Sequence, residues 1–211
     1  MLDTFITAFI AFFVTIEPIG VGPVFAGLTR GYDPKLRRSM AYRGTLIGTA
    51  ILLVFALAGR YLLNALGIGF PAFRIAGGIL LLMLSIDMVL ARPSGLRSTT
   101  PGEDEEASQK QDISVFPLGI PLIAGPGALT SIVLLMGRAE GHWVDQLLVL
   151  AALGIVMLMT LAVLLGAGAV SRLLGVTGTN VISRVLGILL SALAVQFILT
   201  GIEQASTVRL I

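Results

Sequence analysis

The chain contains no cysteine. Disulfides, Cys-ligated zinc and iron–sulfur clusters are therefore excluded. Histidine occurs once, as His142, and no group of residues has metal-ligand spacing, so neither a metal nor another cofactor is expected. Charge is scarce: Asp, Glu, Lys and Arg make up 12% of the chain, where a soluble domain carries about a quarter. The net charge of +2 comes from few residues, which argues against nucleic acid as a partner. No Gly-x-x-x-x-Gly-Lys loop is present, so direct ATP drive is not expected. The start Met1-Leu2-Asp3 lacks the basic region of a signal peptide, and the apolar run behind it is too long for one.

What fills the chain instead is apolar: 56% of 211 residues are hydrophobic, with mean hydropathy +0.97. A soluble fold of this length cannot hide that much apolar surface. Lipid must solvate part of it, and the bilayer is the first expected partner. A spanning helix needs about 20 mainly apolar residues. Six segments meet that need, near Thr4–Leu28, Ala41–Leu66, Phe70–Leu90, Val115–Met136, Trp143–Leu173 and Val181–Ile202. The predicted fold is all-α, a polytopic transmembrane bundle. Small residues Gly166–Ala169 are expected within the fifth span, serving close packing. Residues 91–113 form a polar linker with the acidic run Glu103-Asp104-Glu105-Glu106.

Basic residues set orientation. Arg30, Lys35, Arg37, Arg38 and Arg43 lie in or beside the first loop, Arg92, Arg97 and Lys110 in the third, and Arg172 near the fifth. The other side has Arg60, Arg138 and Arg209. This bias predicts cytoplasmic loops one, three and five, and both termini outside a bacterial-type inner membrane.

The first and fourth spans contain helix breakers, and these repeat. Pro18-x-x-x-Gly22-Pro23 recurs as Pro121-x-x-x-Gly125-Pro126, and Arg74-Ile75-Ala76-Gly77 recurs as Arg184-Val185-Leu186-Gly187. The matches fall in the first and third span of each half. Three spans per half make the second copy enter from the opposite side, so the expectation is a 3+3 inverted repeat: residues 1–90, then 114–211. Proline and glycine free backbone polar groups. Such groups are tolerated at membrane depth only inside protein or along a cavity. Paired breaks therefore point to a site for a small solute. Its candidate lining is Pro18, Gly20, Gly22, Pro23, Pro121, Gly125, Pro126 and Gly127, with Thr130 and Ser131 just beyond.

At these residues the chain resembles the MarC family of integral membrane proteins. The motifs are Glu17-Pro18-Ile19-Gly20 with Pro23-Val24-Phe25, Phe73-Arg74-Ile75-Ala76-Gly77-Gly78 with Asp87-Met88, Ala124-Gly125-Pro126-Gly127-Ala128, and Ser183-Arg184 with Gln196-Phe197-Ile198. The resemblance covers nearly the whole chain. Many members carry Asp where this chain has Glu17, and Asn where it has Val21. The resemblance implies a six-span transporter-like fold and, since the family includes a small neutral amino acid transporter, movement of such solutes.

The leading expectation is a secondary transporter of small neutral amino acids, ion-coupled or exporting, and not an enzyme. A passive channel or a structural or assembly membrane protein is the alternative. Glu17, an ionisable group midway along an apolar span, is the first candidate for coupling to a proton or sodium ion. Asp87, toward a span end, is the second. Arg74, Arg184 and Gln196 are candidates for bridging helices or touching substrate, with interfacial anchoring the rival role for the arginines. A homo-oligomer is left open.

Overall fold

The computed structural model describes residues 1–91 and 112–208. Among them every regular element is helical. α1 (Leu2–Ile16) and α2 (Pro18–Leu28) follow one another as a single apolar span of 27 residues. α3 (Pro34–Ala65), α4 (Phe70–Leu90), α7 (Trp143–Leu165) and α8 (Ala167–Val208) are each long and apolar enough to cross a bilayer. α5 (Ser114–Ile123) and α6 (Pro126–Arg138) are bent against one another by 57° and complete a sixth span if taken together.

Local chemistry sets the boundaries. Asp33 caps α3 by accepting from the Lys35 N–H at 2.7 Å, and Pro34 follows at the first helical position, where its missing donor costs nothing. Pro71 and Pro126 sit in the first turns of α4 and α6 for the same reason. Ala91 closes α4 in the left-handed conformation.

Three expectations shift. The fifth span stops at Leu165 rather than Leu173, because the chain leaves the helix at Gly166 and restarts at Ala167. Ala167–Ala169 and Arg172 thus belong to α8, which turns at Gly175, where φ is +59°. The first break lies at Glu17, ahead of the Pro18–Pro23 motif. Pro18 opens α2, and the helix continues through Pro23. The expected linker falls, apart from Ala91, Asp112 and Ile113, outside the described residues.

The main core gathers Phe12, Ile16, Phe25, Leu52, Leu118, Ile123, Ile132 and Leu153, from α1, α2, α3, α5, α6 and α7. A second cluster joins α1, α4, α6 and α8 through Val14, Leu81, Leu84, Leu134, Leu190, Ala194 and Phe197. The most extensive helix pairing is α4 with α8. A Cβ added to Gly78 would meet the Ala194 carbonyl oxygen at 2.9 Å, one on Gly187 the Ser85 oxygen at 3.0 Å, and one on Gly201 the Pro71 oxygen at 3.1 Å. The pairs Pro71/Gly201, Gly78/Ala194 and Ser85/Gly187 step by seven in opposite directions, so the helices run antiparallel with small residues at each crossing. Lipid supplies no hydrophobic drive between helices, and such close backbone approach is what holds them.

Gly78→Val is expected to destabilise the protein by about 1–3 kcal/mol through overpacking. Its thermal midpoint in detergent should fall. Gly154, with no atom within 4 Å of an added Cβ, is the control, and Gly154→Ala should leave the midpoint level or raise it. Equal midpoints for the two variants would refute this account of the seam.

Candidate functional site

Glu17 sits between two helices with φ 48° and ψ 67°, the left-handed region that non-glycine residues rarely occupy. Its N–H closes α1 on the Phe13 oxygen at 3.0 Å, and its carbonyl accepts from Gly20 and Val21 at 2.9 and 3.1 Å, starting α2. This one residue therefore serves both helices. Its side chain is 0% exposed. The Ser183 hydroxyl of α8 donates to Oε1, so the carboxyl links the break to the last helix.

The second break is built differently. Phe116 and Ile120 are extended, each before a cis proline, Pro117 and Pro121. The Ala124 N–H reaches back to the Gly119 oxygen at 2.9 Å, and Gly125 then leads into α6. Pro126 has no N–H, and the next first-turn donors, on Gly127 and Ala128, have no partner within α6.

The two breaks come together. A Cβ on Gly127 would lie 3.8 Å from Cβ of Thr15, two residues before Glu17, and would also meet Leu81 and Leu84 of α4. α1 packs on α6, and α2 touches α5. Pro18 and Gly22 are buried, and Gly22 is closed by Val163 of α7. Gly20, Pro23, Pro121, Gly125 and Pro126 are half-buried. Thr130 is buried with its methyl against Gly77. Ser131 is fully buried, and its hydroxyl has no hydrogen-bond partner.

Arg74 lies in the second turn of α4 and is buried. It is 4% exposed, and its Nε has no hydrogen-bond partner. Its guanidinium lies 4.9 Å from the centre of the Phe70 ring, and Arg138 is close enough to repel it. No carboxylate pairs with it among the described residues. One turn further along α4, Gly77 faces Thr130 and Leu134, so Arg74 and Ser131 border the same α4–α6 contact.

The other candidates stay outside this group. Arg184 is exposed. Gln196 is exposed and donates to Thr200 of its own helix at 3.3 Å, so it bridges no helices here. Asp87 is half-buried near the end of α4. A cleft of about 250 Å³ lined by Asp3, Thr4, Thr7, Arg138 and Asp145, and another of about 400 Å³ beside Arg60 and Glu140, are not lined by the residues of the two breaks. At the start of α5, Ser114 donates through N–H and hydroxyl to Asp112, which also pairs with Arg43 at 3.1 Å. These donors hold the Asp112 carboxyl below its usual range. Sequence reading missed Ser183 as a site residue. Its signal was its place beside Arg184 in the repeated third-span motif.

The chain matches the family described as MarC family integral membrane protein over residues 2–206. It is 39% identical over 204 residues to a UPF0056 membrane protein of Methanocaldococcus jannaschii, covering 97% of this chain and 98% of the relative. It is 32% identical over 205 residues to the UPF0056 membrane protein YvbG of Bacillus subtilis, covering 96% of each. A UPF0056 membrane protein of Archaeoglobus fulgidus is 33% identical over 203 residues, covering 96% of this chain and 94% of the relative. No solved structure matches. The chain belongs to the MarC family of integral membrane proteins.

Proposed function

We propose that the protein is a secondary transporter of small neutral amino acids, glycine- or alanine-like, coupled to a proton or sodium ion or working as an exporter. The observation that carries this reading is the meeting of two interrupted spans, with Thr15 against Gly127 and a buried carboxyl at the break. Interrupted spans in corresponding places of two halves are the usual mark of a transport site. The surrounding chemistry suits a zwitterion. Near the breaks Ser131 is a buried hydroxyl without a partner and Glu17 a carboxyl shared with Ser183. Arg74, a buried cation without a carboxylate among the described residues, lies toward the opposite end of α4 beside Phe70, where a substrate carboxylate would meet it on the way to the breaks. A buried, unpaired charge is costly and is retained where a ligand completes it.

The helix contacts support the inverted repeat. Exchange the first span for the fourth, the second for the fifth and the third for the sixth. The first packs on the fifth as the fourth packs on the second, and the first on the sixth as the fourth on the third. Third with sixth and second with fifth map onto themselves. With three spans per half, this exchange is an inversion across the membrane. The reading places both termini outside a bacterial-type inner membrane, by the bias of its basic residues.

The test is purified protein in liposomes with labelled glycine and alanine under imposed proton or sodium gradients. Accumulation against a concentration gradient, or outward movement driven by one, is expected. Equilibration alone would mean a channel. No movement of either solute would leave a structural or assembly role.

A further inference from the structure

The 400 Å³ cleft lies between the C-terminal half of α3, the end of α6 and the start of α7. Its lining is ordered. Along α3 it passes from Phe55, Ala56 and Leu57 to Arg60, Tyr61 and Asn64, and along α6 from Val133 and Met136 to Glu140 just beyond the helix. Two helices thus change from apolar to polar in the same direction, toward the membrane surface. Phospholipids have the same order, chains inward and headgroup outward. The cleft also opens to the lipid side. Leu57 and Tyr61 of its wall are strongly exposed and continue an exposed apolar face through Leu46, Leu53 and Val54.

Its charges are one cation and one anion. Arg60 pairs with Glu140 through Nη1 and Oε2, and the two side chains keep 40% and 51% of their surface exposed. That leaves Nε and Nη2 of Arg60, and Oε1 of Glu140, able to meet a ligand of both signs. Gln146 adds a neutral polar group beside them. The Phe70 ring, seated on Gly137, backs Arg60 with its centre 5.9 Å from the guanidinium carbon.

We propose that this cleft binds the headgroup of a zwitterionic phospholipid bearing a primary amine, with phosphate on Arg60 and ammonium on Glu140. Phosphate suits guanidinium geometry. A primary ammonium can donate hydrogen bonds to Glu140, whereas a quaternary choline cannot. The site is separate from the two breaks and does not depend on transport.

The experiment is lipid titration of detergent-purified full-length protein, followed by native mass spectrometry. Phosphatidylethanolamine should bind about tenfold more tightly than phosphatidylcholine or phosphatidylglycerol of equal chain length, the size expected of one charge-assisted hydrogen bond. Glu140→Gln should erase that preference. Arg60→Gln should weaken phosphatidylethanolamine and phosphatidylcholine alike. Equal binding of the three lipids by the wild type would overturn the proposal, as would a preference that survives in Glu140→Gln. Displacement of the lipid by millimolar glycine would assign the cleft to a free solute instead. The wild-type lipid comparison and glycine competition decide the matter even if a variant fails to fold.

Discussion

Glu17→Gln protein, reconstituted into liposomes, is expected to bind glycine or alanine yet fail to accumulate either against a gradient. Gln keeps the size of the side chain and can still accept from Ser183, so the link between the first break and α8 survives. What it loses is the ability to take up or release a proton, or to balance a sodium ion. Uptake should fall to equilibration, and its dependence on the imposed proton or sodium gradient should vanish. The carboxyl is fully buried at the place where α1 ends and α2 begins, so a change in its charge acts directly on the break. Two controls separate coupling from scaffolding. Ser183→Ala removes the donor but leaves the carboxyl, and should alter rate while keeping gradient dependence. Asp87→Asn removes the other membrane carboxyl considered for this role, which is half-buried near the end of α4, and should keep gradient dependence too. Uphill transport by Glu17→Gln with unchanged ion dependence would make Glu17 a structural residue.

Arg74→Gln should raise KM for glycine by about 10- to 100-fold, the loss expected when a charge-assisted hydrogen bond to a carboxylate is removed. The variant should also lose discrimination between glycine and glycinamide, which lacks the carboxylate. Arg74→Lys should recover part of the affinity, since it restores the charge without the planar fork. The physical basis is the cost of the native arrangement. A guanidinium 4% exposed, stacked on Phe70 and repelled by Arg138, has nothing on the protein that balances its charge among the described residues. If KM and the glycinamide ratio are unchanged in Arg74→Gln, the arginine holds α4 against α6 and does not meet substrate.

Much of this was readable from composition and punctuation. The apolar runs and their breakers locate the spans because a bilayer demands about 20 apolar residues from any crossing helix, and proline and glycine mark where the ladder fails. The boundary after Leu165 was less legible. Gly166 lies in a continuous apolar stretch of small residues, and nothing in their hydropathy says that the helix ends there. The side of the first break was hidden for a related reason. Pro18 and Pro23 look alike in sequence, but a proline in a first turn costs a helix nothing, so Pro18 starts one. The left-handed turn fell on Glu17, a residue type with no preference for it. Ser183 and Arg74 were visible as motif residues, yet their roles depend on distant helices. Ser183 reaches Glu17 across 166 positions of chain, and the burial of Arg74 follows from how α6 and Phe70 close over it.

The crossing of α4 and α8 limits how the two halves can move. Its carbonyl-facing small residues recur every seven positions on both helices, so one helix can slide along the other only by a whole repeat, about 10 Å at 1.5 Å per residue. Shorter steps would drive leucine or isoleucine side chains into backbone oxygens. These two helices therefore behave as a fixed post, one member drawn from each half of the chain. Bending of the bundle then meets least resistance in the spans around it, whose helices are already interrupted at Glu17 and at Phe116–Gly125.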